Sequence, residues 1–86
     1  MFKVIKKDGS TQDFDRNKIV NGVMKSGATA EIAEAVAADV ETAFSGKTDT
    51  DSVSYLEIKT KVVDSLRAKD PITADYFTAY TKTKQE

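Results

Sequence analysis

The stretch Val4-Ile5-Lys6-Lys7-Asp8-Gly9-Ser10-Thr11-Gln12-Asp13-Phe14-Asp15-Arg16-Asn17-Lys18-Ile19 decides the fold. Phe2 to Lys7 alternates well enough to read as a short strand, with Lys6 and Lys7 directed to opposite faces. Asp8-Gly9 between two extended runs is a hairpin signal, because both residues can adopt positive φ. Thr11 to Phe14 is the returning strand. Asp15 then caps a helix, its carboxylate accepting amide hydrogens of the first turn. Ile19, Val20, Val23 and Met24 form one face of that helix, and Ser26-Gly27 ends it.

Outward from this segment the chain reads as helices. Thr29 opens the second, with Ile32, Val36, Val40 and Phe44 every four residues and five alanines between Ala30 and Ala38. Alanine has the best intrinsic helix propensity. Gly46 stops this helix, and Glu31, Glu34, Asp39 and Glu41 make its solvated face. A short third strand is expected near Thr50–Val53. Ser54-Tyr55-Leu56-Glu57 fits a capping box ahead of a third helix with Ile58, Val62, Val63 and Leu66 inward. Asp70-Pro71 opens a fourth, carrying Ile72, Thr73, Tyr76, Phe77 and Tyr80. The expectation is an α+β fold: a four-helix bundle capped by a β-hairpin or small three-stranded sheet. Residues 1–86 form a single domain with a polar tail from about 82.

The composition narrows the function. The 86 residues are 40% hydrophobic and 31% charged, the balance of a soluble globular domain. No apolar run approaches the ~20 residues of a membrane span, and no secretory segment follows the start, so a cytoplasmic location is expected. There is no cysteine and no histidine. That removes disulfides, thiolate metal sites and the usual general base, and argues against an enzyme. Net charge is −1, unevenly spread. Residues 1–25 carry three excess positive charges, 26–58 six excess negative, and 59–86 two excess positive. Such a balance is too weakly basic for a nucleic-acid binder, but two basic ends brought together would make a basic pocket with an acidic back.

Ser45-Gly46-Lys47-Thr48 has the look of a Walker A tail, but Glu41 stands where the motif needs glycine. The four residues also close a helix, where carbonyls repel phosphate. Asp13 and Asp15 find no third group for acid–base chemistry. Lys18 is different. It falls in the first turn of a helix, where the dipole disfavours a cation. An anion held there by backbone amides, Lys18 and a strand lysine would account for it. Ordinary solvated lysines on an exposed hairpin are the alternative.

Val4-Ile5-Lys6-Lys7-Asp8-Gly9, then Phe14 and Asp15-Arg16-Asn17-Lys18-Ile19, resembles the opening signature of the ATP-cone family. That family is the nucleotide-sensing domain of many ribonucleotide reductases and of their transcriptional repressor. Glu57-Ile58, Val62, Leu66 and the run Ala74-Asp75-Tyr76-Phe77-Thr78-Ala79-Tyr80 continue the likeness, so that it covers nearly the whole chain. The resemblance implies a four-helix bundle under a three-stranded sheet, and ATP or dATP, with magnesium carried by the nucleotide, bound beneath the hairpin. It implies that Val4 and Ile19 line the base and sugar, that Lys6, Lys7, Lys18 and Lys82 meet phosphates, and that Asp15 positions the nucleotide or its magnesium. It also implies that the acidic second helix faces away. Gln12 and Tyr55, also expected at the site, depart from the family's usual acid and small hydroxyl residue, and Thr81 stands in place of an arginine. The expected role is an allosteric regulatory domain with no catalytic residues and no protein metal ligands, partnered by nucleotide and by a second copy or a ribonucleotide reductase subunit. No membrane or nucleic-acid partner is expected. The alternative is a ligand-free protein interaction module, a degenerate cone.

Overall fold

The computed structural model describes residues 2–47 and 51–83. The chain forms β1 (Lys3–Ile5), β2 (Thr11–Asp13), α1 (Arg16–Lys25), α2 (Ala30–Ala43), β3 (Ser52–Ser54), α3 (Tyr55–Lys69) and α4 (Pro71–Thr83). Four helices thus accompany a small, open, mixed sheet of order β2-β1-β3. β1 is antiparallel to β2 and parallel to β3. The third strand lies slightly later than expected, because Val53 pairs with Val4 and is buried with it.

The helices start where side-chain caps satisfy their orphan amides. Asp15 accepts from the Asn17 amide at 2.9 Å, and Thr29 from Ile32 at 3.2 Å. Ser54 and Glu57 form the full capping box of α3. Asp70 accepts both the amide and the hydroxyl of Thr73 at the head of α4.

The hairpin closes by a different turn from the expected one. Among the described residues none other than glycine has positive φ, so Asp8 does not share the left-handed conformation of Gly9, whose φ is 89°. The Gly9 amide donates to the Lys6 carbonyl at 3.0 Å, and the Lys6 amide to the Ser10 carbonyl at 2.7 Å. The loop is therefore three residues, Lys7-Asp8-Gly9, with glycine in the position that needs left-handed backbone. Asp8 instead accepts from the amide and hydroxyl of Ser10. Those bonds hold its carboxyl below the usual range.

The core runs from the sheet into the bundle. Phe2 stacks at 4.8 Å on Phe14 and 5.6 Å on Phe44, tying the hairpin to the end of α2. Ala33, Val36, Ala37 and Val40 of α2 are fully buried, as are Val23 of α1 and Leu66 of α3. Three expected inward residues face out. Met24, Ile72 and Tyr76 are 43%, 69% and 64% exposed. α1 packs through Val20 and Val23, which leaves Met24 past the edge of the contact. α4 packs through Thr73, Ala74 and Phe77, leaving its flank open. Gly46 follows a helix that ends at Ala43, and its backbone is not left-handed.

The acidic face of α2 is only partly solvated. Arg16 of α1 forms ion pairs with both Glu34 and Glu41, donating to Glu41 at 2.8 Å. Asp39 accepts from Ser65 at 2.6 Å and Lys69 at 2.8 Å of α3. Glu34, Asp39 and Glu41 therefore face neighbouring helices, while Glu31 is exposed as expected.

Candidate functional site

The inner face of the sheet carries one row of side chains. Val4 is buried and lies opposite Gln12 on β2 and Val53 on β3. Partners in register share a face, so Gln12, Val4 and Val53 line up across it. Lys3 and Asp13, one residue off, form an ion pair on the outer face. Alternation returns Lys6, half-buried, to the side of Val4.

α1 approaches this face with its first turn. The Lys18 ammonium donates to the Gln12 side-chain oxygen at 3.2 Å. Gln12 is neutral, so this bond leaves the charge of Lys18 uncompensated. Lys3, Arg16, Arg67 and Lys69 all meet carboxylates; no carboxylate pairs with Lys18 among the described residues. Ile19, next along α1, packs half-buried against the core.

The amides of this helix start are less available than the sequence suggested. Asp15 takes the Asn17 amide with its side chain, and the Lys18 amide donates to the Asp15 carbonyl at 3.2 Å. The carboxylate of Asp15 is thus occupied as a cap. Anion binding here falls to side chains more than to backbone.

The remaining expected residues are spread around this centre. Lys7 is exposed in the hairpin loop. Tyr55 opens α3 directly after Ser54, the register partner of Ile5, and so lies at the same end of the sheet as Lys6. It is half-buried against the core. Lys82 falls in the last turn of α4, and its side chain lies outside the described residues. Val4, Gln12 and Lys18 are therefore brought together, with Lys6 just beyond β1, Ile19 beside Lys18 on α1 and Tyr55 at the border. Lys47 and the false Walker A fragment stand in the turn after α2, where the Lys47 amide donates to the Phe44 carbonyl; Thr48 lies outside the described residues. Two surface depressions between α2 and α3, one over Phe44 and Leu56 and one over Asp39 and Ser65, include none of the expected residues.

Sequence reading missed the setting of Arg16. Its signal was present: a second cation in the first turn of α1, with no acid there to offset it.

Four helices with a small open sheet set against a lysine-bearing helix start make a small α+β domain. The ATP cone domain model matches residues 2–86, and the chain belongs to the ATP cone domain family. Comparison with the curated proteins gives no match. Among the described residues no helix is long and apolar enough to cross a membrane, and no group of metal-ligating side chains converges.

Proposed function

We propose that this chain is a regulatory module that binds ATP or dATP, as the magnesium complex, between the sheet and the first turn of α1, and so controls ribonucleotide reduction without catalysing a reaction. The observation that carries the reading is Lys18, a cation in the first turn of a helix, turned to the inner sheet face and held, among the described residues, only by a neutral amide. A phosphate supplies the negative charge that this position lacks. Lys6 adds a second cation at the same face, and Val4 and Ile19 supply apolar surface for a base. Lys7, Lys82, Asp15, Gln12 and Tyr55 complete the proposed contacts. Nucleotide binding shifts the population of hairpin positions over the bundle, and that alters contacts with a second copy or with a reductase subunit.

A second reading, a ligand-free interaction module, draws on Ile72 and Tyr76, exposed one turn apart on α4. Calorimetric titration with ATP, dATP and GTP in the presence of magnesium separates the two. Saturable heat with adenine nucleotides supports the first. Silence with all three removes it.

A further inference from the structure

Arg16 and Lys18 share the first turn of α1 but face different neighbours. Two residues along an α-helix is a rotation of about 200°. Arg16 lies across α2: its Nε donates to Glu41 Oε1 at 2.8 Å, Nη1 to Glu34 Oε1, and Nη2 to the Glu34 carbonyl at 3.3 Å. Lys18 reaches the other way, to Gln12 on the sheet. The guanidinium fork thus holds the start of α1 at two carboxylates seven residues apart on α2. Both glutamates raise its pKa, so the guanidinium stays charged across the accessible range. A helix pinned on one side has a set orientation on the other. An exposed ion pair alone adds little stability, but a fork held at three points fixes direction.

We infer that Arg16 is a positioning residue for the nucleotide site, fixing the start of α1 on Glu34 and Glu41 so that Lys18 meets the phosphates. The inference rests on the proposed nucleotide binding and adds a structural cause to it. Neither glutamate touches the site, so the effect passes through the helix.

The test is a double-mutant cycle between Arg16→Met and Lys18→Met, read by calorimetric ATP affinity with magnesium at a temperature where circular dichroism shows every variant folded. Arg16→Met alone should weaken ATP binding about fivefold or more. In the Lys18→Met background the same change should have an effect of less than about twofold, since there is no Lys18 left to position. Arg16→Lys keeps the charge but not the fork, should fall between wild type and Arg16→Met, and carries the test if Arg16→Met does not fold. Glu41→Gln should weaken binding in the same direction as Arg16→Lys. Wild-type affinity in Arg16→Met, or an equal loss in both backgrounds, overturns the inference and leaves nucleotide binding intact. A wild-type protein that binds no ATP overturns both.

Discussion

Asp39 of α2 accepts from Ser65 at 2.6 Å and from Lys69 at 2.8 Å, so that one carboxylate joins two turns of α3. Those two hydrogen bonds, the Lys69 one larger, hold its pKa below the ordinary value. A carboxyl depressed in the folded state stabilises the fold above its unfolded pKa, and that contribution disappears as pH falls through the folded value. Stability should therefore be flat above about pH 5 and decline below about pH 4. Asp70, depressed by the Thr73 hydroxyl and amide, acts in the same direction. Asp39→Asn should lower stability at pH 7 and flatten the acid limb. Urea titrations of wild type and variant at pH 7 and pH 3 check this; parallel acid limbs would count against it.

The core side chains make a sharper test. Leu66 is fully buried near the C-terminal end of α3. Leu66→Ala should cost about 2–5 kcal/mol in transfer and cavity terms. Glu31, exposed in the first turn of α2, should tolerate alanine within about 0.5 kcal/mol. Glu34→Ala and Glu41→Ala should fall between these, because each loses a contact to Arg16. The order of the four midpoints in urea decides the matter.

The hairpin loop and the end of α2 each contain a glycine, with opposite expectations. Gly9→Ala should destabilise the fold by about 1 kcal/mol or more, because alanine is strained at φ 89°. Gly46→Ala should be close to neutral, since its φ is ordinary and a Cβ there meets nothing within 4 Å. Thermal melts of the two variants give the comparison.

Ligand linkage gives a direct check on nucleotide binding. ATP at about 100 times its dissociation constant should stabilise the protein by about 2.7 kcal/mol if it binds only the folded state. For a domain of this size that raises Tm by roughly ten degrees or more. An unchanged melting curve at millimolar ATP would contradict the reading.

Two lysines in superficially similar phosphate contexts should behave differently. Lys18→Ala should leave the ligand-free Tm unchanged or slightly higher, since the helix dipole already disfavours a cation there. With triphosphate present it should weaken binding about tenfold to a hundredfold, the loss of one charge-assisted contact. Lys47→Ala, following the carbonyl end of α2, should bind as wild type. Fluorescent ATP competition measures both, and the reverse pattern would move the site from the first turn of α1 to the turn after α2.

Local rules made much of this molecule legible. Asp15, Ser54-Glu57 and Asp70-Pro71 marked three helix starts, because a cap is a contact between residues close in sequence. Gly9 and the Lys18 anomaly were likewise visible in one stretch of chain, whereas Lys6 and Lys7, expected on the two faces of a strand, fall beyond β1, Lys7 in the loop. So was the family likeness, which the match over residues 2–86 bears out. What sequence could not supply was pairing at a distance. That Lys18 meets Gln12, that Arg16 meets Glu34 and Glu41, and that Asp39 meets Ser65 and Lys69 depends on how whole helices pack. Periodicity shows that a face exists but not which part of it a neighbour covers, so Met24, Ile72 and Tyr76 could be apolar and still face out. The direction of β3, parallel to β1, was settled by the intervening helices carrying the chain back to the start of the sheet, where burying Val53 against Val4 removes two apolar side chains from water.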